Sequence, residues 1–184
     1  MIYAGFWRRA LSLIIDAVII IPPVIAIHVY VVPLSIKAAF LAYLLSGLLA
    51  TAYPVVFHAR WGQTIGKMVT GIRVIRLDGK PIHLREAFLR SSVDIIIWLF
   101  FIAGVTYMFL AWEGPPLNSM SYNDRVHLFS RLNPTEKIYR VAADVWTLSE
   151  IVVLLFNKKK RAVHDFIAGT VVIVCQSIGK GVRS

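Results

Sequence analysis

Trp7-Arg8-Arg9-Ala10-Leu11-Ser12-Leu13-Ile14-Ile15-Asp16-Ala17-Val18-Ile19-Ile20-Ile21 sets an arginine and an aspartate inside the first long apolar run of the chain. Seven residues make about two helical turns, so Arg9 and Asp16 share a face, roughly 10 Å apart along the axis. A carboxylate in hydrocarbon costs several kcal/mol unless it has a partner, a proton or water. Asp16 is therefore a candidate functional residue. Pro22 and Pro23 follow one turn later; each lacks an amide proton and crowds the carbonyl four residues back, on Val18 and Ile19. Two readings stand open. In one, a broken helix offers loose carbonyls and an acid to a small cation. In the other, the prolines make a packing kink and Arg9 neutralises Asp16.

Composition places that stretch in a membrane. Of 184 residues 58% are apolar and the mean hydropathy is +0.69, too high for an ordinary soluble domain of this size. Twenty Lys and Arg against ten Asp and Glu give a net charge of +10. These cations fall mainly between apolar runs and build no basic face on a soluble element, so a nucleic-acid partner is not expected. Cys175 is the single cysteine, which excludes an internal disulfide.

About 20 helical residues cross a bilayer core. Four segments reach or approach that length, at about residues 10–32, 38–57, 95–112 and 138–156. The fourth is the weakest, since it holds Arg140, Asp144 and Glu150. Fifteen of the cations precede the first segment, lie between the second and third, or follow the fourth; five, Lys37, Arg125, Arg131, Lys137 and Arg140, fall on the other side. The positive-inside rule then puts both termini in the cytoplasm and asks for an even number of spans. The expected fold is an all-α transmembrane, four-helix polytopic bundle. A cleavable signal peptide is not expected, because no small-x-small site follows promptly and Pro22-Pro23 interrupts the run.

Within the second span Ala38, Ala42, Ser46 and Ala50 recur every four residues, a small face for close helix packing within the bundle or between protomers. After it, Ile72–Leu77 and Lys80–Leu84 read as a cytoplasmic β-hairpin over about residues 72–84, turned at Asp78-Gly79. Thr170–Val174 is a candidate strand to add to that hairpin, and Leu84–Arg90 is an amphipathic interfacial segment. Gly62-Gln63-Thr64-Ile65-Gly66-Lys67 fails as a phosphate-binding loop: three residues separate its glycines, and Met68 stands where a Ser or Thr should hold magnesium. The sequence holds no hydrolase motif, so neither an enzyme nor a cofactor is expected.

Other acids are secondary candidates. Asp94 follows Ser91-Ser92 at the start of the third span, where an acid suits a helix N-terminus and Arg90 lies one turn earlier. Asp144 and Glu150 are six residues apart and on different faces; Glu150 is the more central and a candidate proton carrier. His164 beside Asp165 makes a poor chelate without further ligands, so no metal is expected.

Three blocks resemble the RDD (Arg-Asp-Asp) family of small prokaryotic membrane proteins: Phe6-Trp7-Arg8-Arg9 through Asp16; Gly62–Lys67 with Gly71-Ile72-Arg73-Val74 and Asp78-Gly79; and Arg161-Ala162-Val163-His164-Asp165 through Val172. The resemblance implies a single membrane domain over residues 3–175 with a cytoplasmic tail at 176–184, in the prokaryotic inner membrane. It implies that Arg9, Asp16 and Asp165 are the eponymous trio. It also implies sodium/proton antiport, in which Asp16 exchanges a monovalent cation for a proton, Arg9 tunes its pKa, Asp165 and His164 form a relay, and a homo-oligomer supplies surface that one chain lacks. The alternative is a non-transporting accessory protein, in which Arg9 bonds Asp16 or Asp165 as a structural lock and the hairpin docks a partner. A long polar stretch between Glu113 and Ile138 departs from the family's usual pattern.

Overall fold

A computed structural model describes residues 1–114 and 116–175 of the protein. The elements are α1 (Phe6–Tyr30), α2 (Ile36–Trp61), α3 (Ile65–Val69), β1 (Ile72–Arg76), α4 (Leu84–Leu110), α5 (Tyr122–Leu132), α6 (Glu136–Phe156), α7 (Val163–Ile167) and β2 (Thr170–Val174). Among the described residues, three helical stretches are long and apolar enough to cross a membrane: Phe6–Leu34, Ile36–Trp61 and Leu84–Leu110. The expected fourth span is a helix, but Glu136, Lys137, Arg140, Asp144 and Glu150 leave α6 less apolar than those three.

Three local expectations are corrected. α1 runs unbroken through Pro22 and Pro23. α4 begins at Leu84, so the interfacial segment and the third span are one helix and Asp94 lies inside it, not at an N-terminus. The hairpin at 72–84 is reduced to β1, a turn and a single bridge from Ile75 to Pro81, because Pro81 has no amide to continue a ladder. The full partner of β1 is β2, antiparallel, with Ile72 opposite Val174 and Arg76 opposite Thr170. The tail expected at 176–184 lies outside the described residues.

The chain folds as two compact units. The first contains residues 1–19, 51–93 and 145–175. Its core is the small sheet: Ile72, Val74, Val172 and Val174 pack with Ala4 and Ile82 on one face, and Ile75, Val171 and Ile173 with Tyr3 on the other. β2 lies between β1 and the extended start of the chain, where Ala4 N donates to the Val172 carbonyl and Val174 N to that of Ile2. Burial on both faces accounts for the unbroken β-branched run of β2, whereas β1 interrupts its own with the exposed Arg73.

The second unit contains residues 20–50 and 94–144. Its core gathers Ala39 and Ala42 of α2, Val105 and Met108 of α4, and Leu117 and Phe129 from the 113–138 stretch. That stretch folds into a single helical turn at Leu117–Ser119 and the amphipathic α5, whose N-cap Ser121 accepts from Asp124 N at 3.2 Å. Ala42 and Ser46 of the small face are buried inside this unit, and Ser46 Oγ lies 3.2 Å from His28 Nε2. A Cβ added at Gly47 would stand 1.7 Å from Trp98 Nε1, so the indole occupies the space a side chain would need.

Candidate functional site

The first unit holds two carboxylate clusters. Asp165 sits in the first turn of α7 and is fully buried. Its Oδ2 accepts from Arg9 Nη1 at 2.7 Å and from the backbone N–H of Ala162 at 3.0 Å. Its Oδ1 accepts from Arg90 Nη1 of α4 and, at 3.3 Å, from the Thr170 hydroxyl that opens β2. Arg9 also donates to the carbonyls of Ala4 and Lys160, and Arg161 donates to those of Asp165 and Thr170 while stacking 3.9 Å over the Phe166 ring. Burial pushes the Asp165 carboxyl up, but Arg90, His164 and Arg9 together outweigh it and hold the group well below the usual carboxylate range.

Asp16 does not bond Arg9. It accepts from Tyr53 Oη at 2.7 Å, Thr64 Oγ1 at 2.6 Å and the backbone N–H of Gly66 at 2.7 Å. Thr64 is the N-cap of α3, so the acid grips the start of that short helix. Lys67, one residue beyond Gly66, is pulled down to about 8 by burial and by Arg90, with Asp16 opposing.

Glu150 and His164 form a third contact. Glu150 Oε1 accepts from the His164 backbone N–H at 2.8 Å, and its Oε2 lies 2.6 Å from His164 Nδ1. Burial, then Arg90, pulls the His164 imidazole below its ordinary 6.5, opposed by Glu150 and Asp165. Asp144 is exposed on α6, and Asp94 is exposed on α4. The structure thus brings Arg9, Asp165, His164 and Glu150 together, sets Asp16 among other partners, and leaves Asp94 and Asp144 outside both clusters.

Sequence reasoning overlooked Tyr53, Thr64, Gly66, Arg90, Arg161 and Thr170 as partners. Only Thr64 carried a readable signal, as a hydroxyl standing before a short helix. Arg90 pointed locally to Asp94, four residues on, whereas its carboxylate partner lies 75 residues away.

The RDD family matches residues 3–169 of the chain, a span that contains Asp16, Asp165 and all the partners described for them except Thr170. The chain belongs to the RDD family. It is also 22% identical over 170 residues to the uncharacterized protein YckC of Bacillus subtilis (strain 168), covering 92% of this chain and 83% of that one. No solved structure matches. Membership and the three apolar helices make this RDD protein a membrane protein.

Proposed function

We propose that this RDD protein is a non-transporting, multi-pass protein of the prokaryotic inner membrane, in which Arg9, Arg90 and Asp165 lock α7 and the β1–β2 sheet onto α1 and α4. The exposed turn that follows β1, residues 77–81, then serves as a cytoplasmic docking surface for another membrane protein. The observation that carries this reading is the Asp165 carboxylate, fully buried with both oxygens occupied by two guanidinium groups, a hydroxyl and a backbone amide. Asp16 supports it, since a cation arriving there would have to displace three donors. In this reading α6 completes a fourth crossing and keeps both termini on the cytoplasmic side, as the cation distribution favours.

Sodium/proton antiport at Asp16 is the second reading. It draws support from the chemistry of the Asp16 partners, because Tyr53 and Thr64 are hydroxyls whose oxygens can turn toward a hard monovalent cation.

Proteoliposomes loaded with a pH-sensitive dye separate the two. Under the lock reading, wild-type protein gives no proton flux on addition of sodium, lithium or potassium, and Asp16→Asn and Asp165→Asn both melt at lower temperature. A cation-dependent flux that disappears in a folded Asp16→Asn protein would replace the lock with exchange.

A further inference from the structure

The 113–138 stretch takes no part in the lock, yet together with α2, α4 and α6 it lines a cavity of about 220 Å³ that lies wholly within the second unit. Protein interiors leave few voids larger than a water molecule, and an apolar cavity of about 150 Å³ already holds benzene. This space has room for a small organic ligand.

Four rings line it: Tyr43 of α2, Phe101 of α4, Phe129 of α5 and Tyr139 of α6. They form one connected series. Phe129 lies 5.6 Å from Tyr43 at 79°, Tyr43 lies 6.1 Å from Phe101 at 62°, and Phe101 lies 4.6 Å from Tyr139 at 42°. Neighbouring planes are far from parallel, which suits rings arranged around a space better than rings stacked in a layer.

The charged groups that line the cavity are Glu136 and Arg140, one turn apart on α6 and joined at 2.7 Å from Nε to Oε1. Their exposures differ: the Glu136 side chain is 15% exposed and that of Arg140 67%. The carboxylate therefore holds the inner place in the pair and the guanidinium stands in water. Arg140 engages one carboxylate oxygen, and among the described residues no hydrogen bond uses the other.

This lining selects among charges. The face of an aromatic ring carries negative potential, so a weakly hydrated cation gains from several rings and from Glu136 together. A hard metal ion asks for six or more oxygen ligands, which a lining made mostly of ring carbon does not supply. An anion would meet the rings and the Glu136 carboxylate before it met Arg140.

We propose that this cavity binds the quaternary ammonium group of a small organic cation, held among Tyr43, Phe101, Phe129 and Tyr139 and balanced by Glu136. The chemistry is that of choline, as a free solute or as a lipid headgroup. The site shares no residue with the Asp16 and Asp165 clusters, so it stands or falls apart from the lock.

The test titrates the full chain with choline, in nanodiscs of phosphatidylglycerol, which carries no ammonium group. Calorimetry measures binding, and saturation transfer to the choline methyl protons reports contact with protein. Saturable binding is expected at a dissociation constant of about 1 mM or below. The uncharged alcohol in which carbon replaces the choline nitrogen is expected to bind at least about threefold more weakly, as are Glu136→Gln and Tyr139→Leu proteins to choline itself. Asp144→Asn, an exposed change on the same helix, should bind choline as wild type does. Equal binding of the uncharged alcohol would leave only an apolar void and overturn the proposal, and that comparison needs no variant to fold. Absence of saturable choline binding, or wild-type affinity in Glu136→Gln, would overturn it too. Repeating the titration in phosphatidylcholine nanodiscs separates the sources: undiminished choline binding indicates a free solute, and competition indicates the headgroup.

Discussion

The backbone N–H of Gly66 donates to the Asp16 carboxylate at 2.7 Å, and a Cβ added at Gly66 would stand 2.0 Å from the carbonyl oxygen of Ser12. The obstacle is helix backbone, one turn before Asp16, and cannot rotate away. Gly66→Ala is expected to push α3 off α1 and lengthen the bond to Asp16. Overpacking of this kind costs about 1–3 kcal/mol. Thermal unfolding in detergent should show Gly66→Ala melting well below wild type, whereas Gly71→Ala meets no neighbour and pays only for its positive φ of 64°. Equal melting of Gly66→Ala and wild type would mean that α3 does not seat on α1.

Asp165→Asn leaves Arg9 and Arg90 in place around a neutral group. Removing one member of a buried ion pair costs about 3–5 kcal/mol, because the remaining charge stays buried without compensation. The two arginines share one acid, so Arg9→Met and Arg90→Met should not add: their double variant should differ from the sum by about 0.5–3 kcal/mol. Chemical denaturation of the four proteins measures this, and strict additivity would show that the arginines act independently.

The long apolar helices were legible because hydropathy and length are local properties of the chain. The sheet was half legible: the β-branched run at 170–174 marked β2, but the Asp78-Gly79 turn pointed to a partner at 80–84 that Pro81 restricts to one bridge. The clusters were least legible. Arg9 and Asp16 share a helix face, so spacing paired them, yet their partners lie 156 residues away at Asp165 and 48 and 50 residues away at Thr64 and Gly66. No periodicity within one helix encodes such contacts. Of the two acids weighed as the partner of Arg9, the structure pairs it with Asp165 and gives Asp16 to Tyr53, Thr64 and Gly66.

Acid should unfold the protein through Asp165. Its folded carboxyl is held well below the unfolded value of about 3.9, so the stability it contributes is complete above that value and drains away as pH falls through and below it. The gap between wild type and Asp165→Asn is therefore expected to stay constant above about pH 5 and to shrink below about pH 4. Denaturant midpoints at stepped pH measure it. A gap that persists unchanged into strong acid would mean that the charge of Asp165 contributes nothing.

Glu150 and Asp144 lie on one helix and should behave differently. Glu150 accepts from the His164 backbone N–H at 2.8 Å and meets its ring at 2.6 Å, so it anchors α7 to α6, whereas Asp144 is exposed. Glu150→Gln keeps an acceptor for the backbone amide but loses the charge that faces the imidazole; hydrogen bonds to charged groups contribute about 1.5–3 kcal/mol. Asp144→Asn is an exposed change and should stay within about 0.5 kcal/mol of wild type. Hydrogen exchange gives the local reading. Amides of residues 163–168 should exchange faster in Glu150→Gln at pH 7 and at the wild-type rate in Asp144→Asn. Equal protection in both variants would show that α7 is held by Asp165 alone and that the Glu150–His164 contact adds nothing to the lock.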